Sequence, residues 1–173
     1  MKALVMYESM FGNSAQVAEA IADGLGEHAE VTLRDVTTVA AGDLPEDVDL
    51  LVAGGPTHAF SMSRATTRAD AIKQGATRGV AARGLREWIE GVAELRGLPF
   101  STFDTRVSRA RHLPGSAARS AARALRRRGG RLVVHAQSFF VNDVSGPLET
   151  DELDRARAWG AELAHATQGH RVA

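Results

Sequence analysis

The sequence predicts an α/β domain, a doubly wound five-stranded parallel sheet with helices on both faces. Two observations carry this reading. Short β-rich apolar runs recur along the chain, and longer amphipathic stretches of helical period separate them. A third observation sets the scale: 173 residues, 44% hydrophobic and 24% charged, suit one ordinary globular domain spanning 1–173.

Each element has its own signal. Ala3–Tyr7 is an apolar run cut short by Glu8, too brief for a secretory signal, and reads as a buried first strand. Ser14–Leu25 follows as a helix, with Val17, Ala18, Ile21, Ala22 and Leu25 on one face and Gln16, Glu19 and Asp23 opposite. Val31–Val36 alternates, as a more peripheral strand does. Asp49–Gly54 is apolar after its first residue and predicts a central strand. Gly84–Leu95 carries Leu85, Trp88, Ile89 and Val92 at helical spacing, and Leu98–Asp104 is the fourth strand. Ser116 is placed to cap a helix running to Arg128 before Gly129-Gly130, and Arg131–His135 supplies the fifth strand. Thr150–Thr167 closes the chain as a helix burying Leu153, Ala156, Gly160 and Leu163, with residues 169–173 expected to fray.

Composition narrows the function. Cysteine is absent, which excludes disulfides and thiolate chemistry and fits a reducing, cytoplasmic setting. No segment approaches the ~20 apolar residues that span a bilayer. The six histidines are scattered, so no metal site is expected. Neither G-x-G-x-x-G, the P-loop pattern nor G-x-S-x-G occurs, and no side chain stands out as a catalytic acid or base. A receiver domain would need paired acids after the first strand and an Asp ending the third, where this chain has Tyr7-Glu8-Ser9 and Gly54-Gly55.

Doubly wound sheets bind ligands at the carboxyl ends of their strands, at the switch in strand order. The loop after the first strand, Glu8-Ser9-Met10-Phe11-Gly12-Asn13-Ser14, runs directly into the first helix. Its backbone amides can converge on an anion at the helix's positive end, with Ser9, Asn13 and Ser14 adding side-chain donors. The loop holds no lysine or arginine, so amide dipoles would grip the anion. A simple helix cap by Asn13 or Ser14 is the plainer reading, but the loop carries more hydrogen-bonding groups than a cap requires.

MYESMFGNSAQVAEAIADGL resembles the first βα unit of the flavodoxin family, whose phosphate loop follows T/S-x-T-G-x-T. The resemblance implies strand order 2-1-3-4-5 and an FMN cofactor. Its phosphate would lie on Ser9, Met10, Phe11, Gly12, Asn13 and Ser14. Phe11 stands where the family usually has a hydroxyl, which removes one donor; Met and an aromatic at these positions resemble the flavodoxin modules of larger flavoprotein oxidases. The family's second loop corresponds to Gly54–Met62 and implies that Pro56, Thr57, His58 and Ala59 lie along the flavin ring. Its third loop corresponds to Asp104-Thr105-Arg106-Val107, with Asp104, Thr105 and Arg106 expected at the ring's other edge, where many flavodoxins carry an aromatic; Phe60 is the nearest substitute. Arg106 either tunes the flavin as a nearby cation or is a surface arginine paired with Asp104 or a carbonyl.

Charge adds a partner question. Acidic and basic residues balance at 21 each, yet residues 105–142 contain nine arginines and no acid. Arg119, Arg123, Arg126 and Arg127 fall on one helix face, away from Ala118, Ala121, Ala122 and Leu125. Typical flavodoxins are strongly acidic, so this surface points to a different partner: a redox protein or NAD(P)H-linked reductase with an acidic face. Nucleic acid is disfavoured, since aromatics are not interleaved and net charge is zero. Two functions stand open: an FMN-binding redox protein, in electron transfer or reduction of a small substrate, and a flavodoxin-like scaffold that no longer keeps FMN and acts through protein contacts.

Overall fold

The computed structural model describes residues 1–169. In chain order the elements are β1 (Lys2–Tyr7), α1 (Asn13–Gly26), β2 (Glu30–Asp35), β3 (Leu50–His58), β4 (Ser61–Met62), α2 (Ala65–Lys73), α3 (Leu85–Gly91), β5 (Pro99–Val107), α4 (Ala117–Arg127), β6 (Arg131–Leu132), β7 (Gln137–Val141) and α5 (Glu152–Gly169). The sheet runs β2-β1-β3-β5-β6, with β7 continuing beside β5 and β4 folded back on β3. All pairings are parallel except the β3–β4 hairpin. Counting β6 and β7 as one interrupted edge strand gives the expected order 2-1-3-4-5.

Alternation along the central strands sorts the core into two layers. Leu4 and Met6 of β1, with Leu51 and Ala53 of β3, face α3 and α4 and pack on Trp88, Ile89, Ala121 and Leu125. Ala3, Val5, Leu50 and Val52 point the other way, onto Val17 and Ile21 of α1 and Trp159 and Leu163 of α5. The helices α1 and α5 approach through glycine: a Cβ on Gly24 would fall 2.0 Å from the Arg157 carbonyl oxygen, and one on Gly160 would fall 2.3 Å from that of Ile21.

Several expectations need correction. β3 does not stop at Gly54 but runs to His58, then reverses through Ala59 and Phe60, both at positive φ (47° and 62°), into β4. What reads as a glycine-rich loop is thus mostly strand and hairpin. Likewise residues 104–107 are the end of β5, and the chain leaves the sheet only at the 3-10 turn Ser108–Ala110. The helix expected over 84–95 ends at Gly91, where the chain turns extended at Val92; Gly42 packs so closely there that a Cβ on Gly91 would lie 2.6 Å from the Ala41 carbonyl carbon. Helix α2 went unforeseen, as its apolar face is short.

The fifth strand also differs. It breaks after Leu132 and resumes at Gln137, four residues bulging where β5 spends two. Ser101 fills the gap: its hydroxyl donates to the Val134 carbonyl and accepts from the Val134 amide, each at 3.1 Å. In α5, Leu153 is exposed and Trp159 takes the buried position instead; Ala156, Gly160 and Leu163 are buried as expected. Ser116 does cap α4, accepting from the Arg119 amide. Of the tail expected to fray, residues 170–173 lie outside the described residues, and Gly169 ends α5. No described helix is long and apolar enough to cross a membrane.

Candidate functional site

At the carboxyl ends of β1, β3 and β5 the chain forms a groove lined by Ser9, Met10, Phe11, Asn13, Ser14, Pro56, Thr57, His58, Thr105, Arg106 and Val107. Val141 and Val144, from the end of β7 and the segment after it, close a third side. The groove is narrow, about 80 Å³, against the few hundred Å³ typical of pockets that enclose a ligand of flavin size. A flat ring would therefore lie partly outside it. A larger depression, about 610 Å³, opens at the opposite end of the strands between residues 42–48 and 92–98. That is the wrong end for ligands of a doubly wound sheet.

The first loop is built around Ser9. Its buried hydroxyl accepts the amides of Gly12 (3.1 Å) and Ala15 (3.3 Å), drawing the loop into a tight arc. Gly12 sits at φ 97°, which a side chain would strain. The amides of Phe11, Asn13 and Ser14 receive no partner among the described residues, and α1 carries no acid in its first turn. Such an array of free donors at a helix's positive end suits an anion. The Phe11 side chain adds no donor, but its amide remains.

The walls are tied together behind the loop. The Ser14 and Thr105 hydroxyls meet at 2.7 Å, joining α1 to β5. The Thr57 hydroxyl accepts the Ala117 amide at 2.9 Å, joining β3 to α4. His58 shares a 3.1 Å hydrogen bond between Nδ1 and the Thr67 hydroxyl. Burial, and secondarily the Arg68 charge, push its pKa below the ordinary 6.5, which keeps the ring neutral.

Arg106 resolves in favour of carbonyl pairing. Its guanidinium donates to the Ala110 and Leu113 carbonyls, so it is a fixed, buried cation at the groove. Its Nε, also buried, has no hydrogen-bond partner among the described residues. An orphaned donor in a groove edged by free amides fits an acceptor-rich ligand such as a flavin nucleotide.

Three expected site residues stand apart from the lining. Gly12 shapes the loop without facing the groove, Ala59 sits at the hairpin turn, and Asp104 is wholly buried behind it, its Oδ2 accepting the Ala118 amide at the start of α4. Sequence reasoning missed Val107, Val141 and Val144; the alternating run Gln137–Val141 was the available signal for the last strand.

A second polar cluster lies behind the groove. Glu8, just past β1, is buried and accepts the Ser63 hydroxyl at 2.5 Å and the Leu85 amide at 2.7 Å. Arg68 of α2, also fully buried, donates to Ser63 (2.7 Å) and Ala81 (2.9 Å) and pairs with Glu87 at 3.0 Å. Burial raises the Glu8 pKa, while Ser63, the Leu85 amide and Arg68 oppose that rise. The cluster pins β1, α2 and α3 together.

Residues 5–86 match the family model described as Flavodoxin. The fold of the chain is flavodoxin-like. Solved structures agree along nearly its whole length. A flavodoxin from the domain Archaea superposes at TM-score 0.65 and 18% identity, covering 97% of this chain and 99% of its own. Oxidised Flavodoxin 2 from Bacillus cereus gives 0.68 and 18%, covering 98% and 99%. A diflavin flavoprotein A3 from Nostoc sp. gives 0.60 and 18%, covering 99% and 96%. No curated protein matches the sequence. Identities this low establish the shared fold, and the groove of this flavodoxin-like chain lies where that fold binds its ligand.

Proposed function

We propose that this chain is an FMN-binding redox protein that exchanges electrons with a partner protein or reduces a small substrate. The observation that carries the reading is the set of free amides at Phe11, Asn13 and Ser14, converging on the start of α1 at the switch point. FMN, when bound, would supply one- or two-electron chemistry. The residues from Ser9 to Ser14 would hold its phosphate. Pro56, Thr57 and His58 would flank the ring on one side and Thr105 and Arg106 on another, with Ala59 and Asp104 supporting from outside. Arg106 would stabilise negative charge gained on reduction, and neutral His58 would offer Nε2 for a hydrogen bond.

The partner surface follows from how the arginines are used. Arg109 pairs with Asp143, Arg111 with Glu149, and Arg128 donates to the carbonyls of Glu90 and Val92. Arg119, Arg123, Arg126 and Arg127 are exposed on α4, with no ion pair among the described residues. Helix α4 starts against Thr57 of the groove, so an acidic redox partner docked on it would stand close to the flavin edge.

Titrating purified protein into FMN tests the reading. Saturable quenching of flavin fluorescence and a yellow protein are expected. A protein that stays colourless and leaves the fluorescence unchanged contradicts it, and favours the scaffold reading that the narrow groove supports.

A further inference from the structure

We propose that Arg78 is the counter-charge for the phosphate of the bound flavin nucleotide and makes the site select FMN over unphosphorylated riboflavin. The inference rests on the flavin reading above and adds a residue far from the loop in sequence.

A phosphate monoester carries close to two negative charges at neutral pH. The first loop offers it dipoles but no cation. The segment after α2 supplies one. It returns across the loop and is fastened there: the Arg78 amide donates to the Met10 carbonyl at 3.1 Å. Gly79 presses on the same residues, so that a Cβ there would fall 2.5 Å from Met10 Sδ and 3.2 Å from the Ser9 carbonyl oxygen. The side chain then extends beside Gly12, where a Cβ would stand 3.8 Å from Arg78 Nε. Gly12 is the residue that opens α1. The side chain thus stands beside Gly12, the residue between Phe11 and Asn13, with its guanidinium free to turn toward the loop.

What distinguishes Arg78 from its neighbours is that it is unspent. Arg68 is buried among Ser63, Ala81 and Glu87. Arg83 donates to the carbonyls of Thr37 and Val39, and Arg86 to those of Met62 and Ser63. The Arg78 side chain is exposed and makes no hydrogen bond or ion pair among the described residues. The acids that share its surroundings are Asp35 and Glu19, which act with it on Tyr7. Asp35 is already engaged by the amide and hydroxyl of Thr37. Glu19 lies on the exposed face of α1, beyond its first turn. A dianion at the loop would be the strongest charge within Arg78's reach, and a planar guanidinium can meet two phosphate oxygens at once.

The test is a set of dissociation constants, for FMN and for riboflavin, with the wild type, Arg78→Ala and Arg78→Lys, at low and high salt. Removing one exposed charge-assisted contact is expected to weaken FMN roughly tenfold at low salt, with riboflavin unchanged. Lysine should restore most of the loss, and the salt dependence of FMN binding should shrink in the alanine variant. If Arg78→Ala keeps the wild-type preference for FMN over riboflavin, the proposal is wrong while the flavin reading stands. If the wild type binds neither flavin, the flavin reading and this proposal fail together.

Discussion

Two polar regions meet at the end of β1, and they are organised in opposite ways. Behind the groove, Glu8, Ser63 and Arg68 are buried and Glu87 is partly exposed; they bond or pair with one another and with the backbone of Leu85 and Ala81, Arg68 Nη2 meeting Glu87 only as an ion pair. In front, a few residues further along the same loop, the amides of Phe11, Asn13 and Ser14 have no partner among the described residues, and neither does the Nε of Arg106 on β5. Folding requires buried polar groups to be paired. A cluster of bonded and ion-paired side chains beside a loop with three open amides points to the open side as the place where a ligand would find partners. On the reading proposed above, the paired cluster serves stability and the open groove recognition.

The largest test of that division is Arg68→Met. It leaves the buried Glu8 and the partly exposed Glu87 without their cation, and the loss should fall toward the low end of the about 3–5 kcal/mol that breaking a fully buried pair costs. Urea unfolding should show that loss, while the folded fraction should bind FMN with nearly wild-type affinity. A variant that is fully stable, or one that is stable but cannot bind flavin, would break the comparison.

Arg106→Met sharpens the other side. Losing a fixed cation at the ring edge should lower the flavin midpoint potential by about 30 mV, equivalent to ~1.4 kcal/mol in a two-electron couple. A potential that does not move would remove Arg106 from the electronic account and leave it only as the anchor of the Ala110 and Leu113 carbonyls.

His58 gives the smallest effect, read through pH. Its pKa is lowered in the folded protein, so the unfolded chain takes up a proton first as the pH falls. Stability that His58 contributes above about 6.5 is therefore lost as pH falls through and below that value. Glu8, whose pKa is raised, acts in the opposite sense, gaining relative stability as the pH falls through its raised folded value. Comparing wild type with His58→Gln isolates the first term: the variant should lose less stability between neutral pH and the acid side of 6.5. Parallel curves would mean that His58 is solvated in both states.

How much was legible in the sequence follows the same division. The first βα unit announces itself, because an apolar run, a polar glycine-containing loop and a helix of clean period are all local signals. The Ser116 cap and the arginine face of α4 are local too, and both hold in the structure. What could not be read depends on contacts between distant segments. Arg68 looks like one more surface arginine until the fold sets it against Ser63 and Glu87, and Arg78 gains its place only because residues 78–79 return to Met10. Gly54-Gly55-Pro56 reads as a loop, yet pairing with β5 holds it in the sheet; Gly54 is needed there because the Phe103 ring would lie 2.3 Å from a Cβ. Turn residues thus signal a close neighbour as readily as a bend.

The most direct measurement is an amide NMR titration of the ligand-free protein with FMN. Saturable shifts should appear at the Phe11, Asn13 and Ser14 amides, which are open, and extend to Thr57, Thr105 and Arg106. If FMN binds while those three amides stay still, or if the shifts fall instead on the depression around residues 42–48 and 92–98, the account of the groove is contradicted.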